Sequence, residues 1–205
     1  MTLTLLHTSP AHLPTFATLR DQLAPHAPLN QQVREEWLDQ ARANGITPDL
    51  AAQIETFVAT APGPVICTCT TLGPAAEAAG ATRIDRPMMQ AAGQIGGRII
   101  MAYALDSTLE PSRSLLAVNT NDDAEIVPLD LTGLWHFFEQ GDIPRFDNGI
   151  ATAIRKELRD NGGDCVVLAQ ASMAGAAVLL CDIAQPVLAS PELALRAGLQ
   201  AQNGA

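Results

Sequence analysis

The sequence has 205 residues, 22 of them acidic and 12 basic, which leaves a formal net charge of −10 and a pI near 4.6. That balance argues against nucleic acid and anionic membrane as partners, because both select clustered Lys and Arg. Apolar residues make up 47%, charged residues 17% and aromatics 4%, so the chain is core-forming and packs small side chains into tight helix–strand layers.

Leu3 to Thr8 reads as a first strand, stopped by Ser9-Pro10. Phe16, Leu19 and Leu23 then recur at helical spacing on a helix that opens near Pro14. The signal around Pro25 to Pro28 is weak, and any second strand there is short. Val33, Trp37, Leu38 and Ala41 mark a helix that ends before Gly45. Thr47-Pro48 is a strong start for the next, a cap residue followed by proline at the first helical position. Pro62-Gly63-Pro64 closes it. Val65 to Cys69 is a buried strand, followed by an Ala-rich helix from Pro74 to Gly80. A short strand at Arg83-Ile84 leads into Asp85-Arg86-Pro87. Ile99 to Ala104 is a second strongly apolar strand. Glu110 to Val118 is helical with Pro111 in its first turn, and Glu125 to Leu129 is a strand. Two helices follow, one carrying Leu131, Leu134 and Phe138, the other Ile150, Ile154 and Leu158. Asp164 to Ala169 is again a buried strand. Met173 to Leu180 reads as a helix, with a strand as the alternative. Ser190-Pro191-Glu192 opens a final helix. Strands alternating with helices in this way define an α/β chain with largely parallel sheets.

Two segments resemble each other. Val65-Ile66-Cys67-Thr68-Cys69-Thr70-Thr71-Leu72-Gly73 and Val166-Val167-Leu168-Ala169-Gln170-Ala171-Ser172-Met173-Ala174 are each an apolar strand, then small polar residues, then an Ala-rich helix. The pairing sets Cys69 against Gln170 and Thr71 against Ser172. Strand–turn–helix units can also look alike by chance. Taken as a repeat, they divide the chain into two α/β lobes, residues 1–93 with 183–205 and residues 94–182, whose strand ends share one cleft.

Strand-to-helix turns present unpaired backbone N–H groups and so make carboxylate or oxyanion sites. Thr70, Thr71 and Ser172 add hydroxyl donors, and in that field the Cys69 thiol is expected to ionise more readily. A thiolate beside an anion cradle suits proton transfer next to a carboxylate, or nucleophilic addition. Cys67, Cys165 and Cys181 lie in apolar runs and read as inert core thiols. Cys67-x-Cys69 lacks metal-ligand spacing and no His stands at ligand distance, so no metal site is expected. Met1 to His7 has no basic n-region, and no apolar run reaches the ~18 residues of a membrane span. The expectation is therefore a cytoplasmic protein with reduced thiols.

These residues resemble the aspartate/glutamate racemase superfamily, which includes amino-acid and hydantoin racemases, maleate isomerase and arylmalonate decarboxylase. Leu6-His7-Thr8-Ser9-Pro10 is similar to its first strand and loop, and Cys69-Thr70-Thr71-Leu72-Gly73-Pro74 to its first cysteine motif. Ile84-Asp85-Arg86-Pro87-Met88 resembles the loop after the fourth strand. Ser107-Thr108-Leu109-Glu110-Pro111-Ser112 resembles the substrate-side loop of the second lobe. Val167-Leu168-Ala169-Gln170-Ala171-Ser172-Met173 resembles the second motif, commonly Leu-Gly-Cys. The resemblance implies two flavodoxin-like lobes, an interlobe active site, no cofactor, no metal, and the pairing of copies common in that family. It makes Cys69 the first-lobe cysteine, Thr70 and Thr71 carboxylate binders, and Ser9, Thr108, Ala171 and Ser172 lining residues. His7 stands as a proton relay or as a structural histidine. Asp85 with Arg86 either supports the site or forms an ion pair.

One departure outweighs the matches. Gln170 stands where the second cysteine would be, and an amide does not titrate near neutral pH. Cys165 lies five residues earlier, roughly 16 Å along a strand at ~3.3 Å per residue, and does not replace it. The expected activity is a cofactor-independent racemase or isomerase acting beside the carboxylate of a small acid or amino-acid derivative, with a single thiol. The alternatives are a decarboxylase or lyase of the same superfamily, and a small-carboxylate-binding protein without turnover.

Overall fold

The computed structural model describes residues 1–203, so the last two positions of the expected 183–205 segment lie outside the described residues. The chain divides into two α/β units, Met1–Arg86 joined by the chain from Pro191 onward, and Pro87–Ser190. Each carries a four-stranded parallel sheet flanked by helices.

In the first unit, β1 (Leu3–His7) is wholly buried and sits inside the sheet. A 3-10 turn at Pro10–His12 leads into α1 (Leu13–Leu23). β2 (Leu29–Val33) follows as a half-buried strand at the sheet's edge. Its Asn and Gln content hides it from hydropathy, and it takes Val33 out of the helix the spacing assigned it to. Next come α2 (Glu35–Asn44), α3 (Pro48–Thr60), β3 (Val65–Cys67), the short α4 (Gly73–Ala78) and β4 (Thr82–Arg83). Thr47 caps α3 by accepting from the Leu50 N–H at 3.2 Å, as its Thr-Pro start predicts. The strand order is β2-β1-β3-β4. Trp37, Leu50 and Ile54 pack with Leu6, Cys67 and Leu72 on one face of it.

The second unit opens with α5 (Arg86–Ile95), which the Asp-Arg-Pro segment conceals, because proline in a first helical turn reads locally like a loop. Gly93 on this helix abuts the backbone of Asn119, which belongs to the second unit. That packing puts the first boundary at Arg86/Pro87 instead of residue 93. β5 (Arg98–Tyr103), α6 (Asp106–Ala117), β6 (Glu125–Asp130), α7 (Trp135–Glu139), α8 (Ile143–Asn161), β7 (Cys165–Leu168), α9 (Ala174–Leu179) and β8 (Val187–Ala189) complete it. α6 begins before Glu110, so Pro111 lies inside it. Leu131 and Leu134 precede α7. β8 pairs with β7, which carries the second boundary past residue 183 to Ser190/Pro191. The strand order, β6-β5-β7-β8, repeats that of the first unit. Ile100, Phe146, Ile150, Ile154, Val166 and Leu168 form its core.

The chain then returns to the first unit as α10 (Ser190–Asn203). A Cβ at Gly198 would lie 2.5 Å from Ile66 Cδ1, so glycine permits a close approach of this helix to the first sheet. Gln202 Nε2 donates to the Met1 carbonyl at 2.6 Å. No helix among the described residues is long and apolar enough to cross a membrane.

Candidate active site

Both strand orders reverse direction at one place. In the first unit the chain steps from β1 outward to β2 and then back across to β3; in the second it does the same from β5 to β6 and then to β7. Open parallel sheets bind ligands outside the carboxyl ends of the strands at such a switch point. Register identifies the residues there. Leu6 aligns with Cys67, so two residues onward Thr8 stands beside Cys69. Ala102 aligns with Leu168, so two residues onward Ala104 stands beside Gln170. The sequence repeat thus corresponds to a repeat in topology, with Cys69 and Gln170 at the same register position in their own units.

Cys69 is 8% exposed. Its sulfur faces the hydroxyls of Thr8 and Thr71 and the backbone N–H groups of Thr71 and Leu72, four donors that favour the thiolate. Burial outweighs them, and the net displacement of its pKa is upward. The sequence reading anticipated the opposite direction. It counted the turn's donors but not the desolvation, and α4, at six residues, is too short to supply a strong dipole. Thr8 was not singled out for this part, because strand pairing and not sequence proximity brings it to the sulfur.

The other first-unit candidates divide into engaged and structural groups. Thr70 is buried and Thr71 half-buried, and both are engaged in interactions. The half-buried Ser9 caps the 3-10 turn, its Oγ accepting from the Ala11 N–H at 3.3 Å. His7 is completely buried, with Nδ1 at 2.8 Å from Thr68 Oγ1 and Nε2 at 3.0 Å from Gln31 Oε1. Gln31 also donates through Nε2 to the Leu13 carbonyl at 3.3 Å, which fixes its oxygen toward the imidazole. His7 therefore donates from Nε2, and its Nδ1 accepts from the Thr68 hydroxyl, whose single proton is shared with the Leu6 carbonyl at 3.1 Å. Burial and the neighbouring His12 push its pKa down to about 4, so it is a neutral structural histidine with both nitrogens occupied. That arrangement favours the structural alternative for His7 over the proton relay.

Asp85 pairs with Arg83 and not with Arg86. The Arg83 fork donates to Asp85 from Nε at 2.9 Å and from a terminal nitrogen at 2.7 Å, and both side chains are buried. A Cβ at Gly73 would stand 3.0 Å from Arg83 Nε, so this glycine lets the guanidinium lie against the start of α4. Arg86 bonds instead to Glu77. No local signal marked Arg83, which is a lone cation in a short strand.

In the second unit Gln170 is 6% exposed. Its Oε1 accepts from the Ala104 N–H at 2.6 Å, the Leu105 N–H at 3.0 Å and the Thr108 hydroxyl at 3.3 Å. Thr108 also donates to the Leu105 carbonyl at 2.7 Å, so its single proton is shared between two acceptors. Ala171 is buried at the start of a 3-10 turn, and the Ser172 hydroxyl is sealed without a hydrogen-bond partner. Cys165 is buried, with its thiol pushed up to about 11 by desolvation, and Cys67 is displaced upward as well. Cys181 is exposed, contrary to the core reading of its apolar run. Among the described residues, no three His, Cys, Asp or Glu side chains are grouped to hold a metal ion. A concavity of about 400 Å³ lies on the α2–α3 face, lined by Arg34, Trp37, Gln53 and Phe57, and includes no residue of the Cys69 turn.

Two units of like topology, each with a small-residue turn at its switch point, define a two-unit parallel α/β protein. Solved structures place that architecture. The fold matches the aspartate racemase of Picrophilus torridus with a TM-score of 0.74 and 13% identity, covering 98% of this chain and 94% of that one. It matches an aspartate racemase homologue from Pyrococcus horikoshii OT3 at 0.69 and 11%, covering 98% and 99%. For the allantoin racemase from Klebsiella pneumoniae the values are 0.66 and 17%, with coverage of 98% and 86%. The likeness is one of fold: this chain shares the two-unit α/β architecture of these racemase structures. No protein-family model and no curated protein matches the sequence.

Proposed function

We propose that this chain is a cofactor-independent, racemase- or isomerase-type enzyme that moves a proton beside the carboxylate of a small acid or amino-acid derivative, with Cys69 as its single working thiol. One observation carries the reading: a buried cysteine at the switch point of its sheet, its sulfur facing four hydrogen-bond donors. Structures of like fold named as aspartate and allantoin racemases support the class. The substrate contacts proposed with it are Ser9, Thr70, Thr71, Thr108, Gln170, Ala171 and Ser172.

The electrostatics define the step. Burial keeps the resting thiol protonated, so Cys69 first acts as a donor. An enolate carbon, formed when water takes the substrate α-proton or when carbon dioxide leaves, takes the proton: a C–H bond forms, the S–H bond breaks, and the sulfur holds the electron pair as a thiolate. The four donors stabilise that thiolate, which then regains a proton from water or removes one from a substrate α-carbon.

A second reading has a specific observation behind it. Gln170 cannot titrate, and its oxygen is already occupied by three donors. Proton delivery from Cys69 alone suits decarboxylation, in which carbon dioxide leaves, the remaining enolate is protonated by the thiol, and water restores the thiol.

The test is α-hydrogen exchange in D₂O over both enantiomers of small amino acids and hydantoins, with carbon dioxide release from substituted malonates in parallel. Cys69→Ser is expected to lose about 10²–10⁴-fold in rate, the usual size of an acid–base contribution. Cys165→Ser and Cys181→Ser should stay largely active. Exchange should favour one enantiomer strongly, and Gln170→Cys should narrow the difference. Full activity in Cys69→Ser would sink the proposal.

A further inference from the structure

We infer that Gln170 is a donor-only recognition residue, its Nε2 amide group held outward to bind an acceptor oxygen of a small carboxylate. The inference rests on the proposed carboxylate chemistry and adds the polarity of the contact. It begins with the amide's orientation. Oε1 faces two backbone N–H groups, at 2.6 and 3.0 Å, and the Thr108 hydroxyl. Turning the amide over would set an NH₂ group against two N–H donors that cannot accept, so the assignment of oxygen and nitrogen is forced.

The nitrogen is therefore on the other side of the amide. No described residue pairs with it, although the side chain is almost wholly buried. Unlike the Ser172 hydroxyl, it is not among the sealed, unpaired atoms, so it keeps some exposure. A buried donor with no partner inside the protein is costly unless an outside acceptor or water meets it. The anchoring also holds the side chain in place before any ligand arrives, which lowers the entropic cost of binding. Register places this amide at the carboxyl end of β7, beside the end of β5, where the sheet reverses. A primary amide so held offers two N–H bonds and no acceptor. It recognises a carboxylate or carbonyl oxygen and rejects an ammonium group.

The decisive variant is Gln170→Glu. One carboxylate oxygen still accepts from Ala104, Leu105 and Thr108, so the unit keeps its internal bonds, while the outward donor becomes an acceptor. The probes are acetate, malonate and L-aspartate, followed through the side-chain ¹H–¹⁵N signals of Gln170, which are assigned by their loss in the variant. At least one probe should shift those signals saturably, in the unmodified protein and in Cys69→Ser alike. Gln170→Glu should weaken that probe's binding at least tenfold, about 1.4 kcal/mol. Signals that stay still with all three probes overturn the inference, even if α-hydrogen exchange is found. Equal binding by Gln170→Glu overturns it as well. Signals that shift in a protein without exchange or decarboxylation uphold the inference and remove the catalytic reading alone.

Discussion

At the scale of single residues, burial decides which groups are available for chemistry. His7 and Cys69 lie one residue apart in register at neighbouring strand ends, and desolvation displaces both toward their neutral forms. For His7 the consequence is measurable in stability. Its native pKa of about 4 lies below the ordinary 6.5. Between those values the unfolded chain binds the proton and the native protein does not, so stability rises with pH across the window and is lost on acidification. The half-buried His12, displaced in the same direction to about 4, adds to the loss. From His7 alone the full effect is roughly 3 kcal/mol at ~1.4 kcal/mol per pH unit. Denaturant unfolding from pH 7 to 4 should reveal it, and the His7 ring should titrate near 4 by NMR. A ring titrating near 6.5 would contradict the burial of His7.

At the scale of elements, α5 shows how packing overrides propensity. Met88, Met89 and Ala92 are buried on it at helical spacing, a signal present in the sequence but masked by Asp85-Arg86-Pro87 ahead of it. Gly93 sits on the same face, although glycine inside a helix costs about 1 kcal/mol relative to alanine. The reason is steric: a Cβ there would come within 1.8 Å of the Asn119 carbonyl oxygen, a backbone atom that cannot rotate away. Gly93→Ala is therefore expected to destabilise the protein by about 2–3 kcal/mol despite its better propensity, as overpacking does. A shift of the urea midpoint to lower concentration at an unchanged slope would show this. A more stable variant would mean that α5 is free to slide from the Asn119 turn.

At the scale of the molecule, the two units have separate cores and different demands on chain continuity. The second, Pro87–Ser190, is one uninterrupted segment with all four of its strands and the core built on Phe146, Ile150 and Ile154. The first needs α10, whose Gly198 rests on Leu3 and Ile66 and whose Gln202 bonds to Met1 and Pro28. Residues 87–190 expressed alone should show a cooperative thermal transition. Residues 1–86 alone should not, because their sheet would expose apolar surface that α10 covers. Adding a peptide of residues 190–203 should restore some of the lost order. Cooperative melting of 1–86 by itself would show that α10 is dispensable to that core.

The sequence by itself determined the alternation of strands and helices, the two-fold repeat that sets Cys69 against Gln170, and the amide side chain at that second position. Those features are local: periodicity, turn residues and the identity of one side chain all lie within a few positions. The tertiary structure alone decided the rest. Thr8 meets Cys69, and Gln170 bonds to Ala104 across 66 positions, only because parallel pairing aligns strand ends that are remote in the chain. Burial reversed the expected displacement of the Cys69 pKa, occupied both nitrogens of His7 and turned Asp85 toward Arg83. Desolvation and hydrogen-bond partnership belong to the folded surroundings of a group, and no spacing in the sequence encodes them.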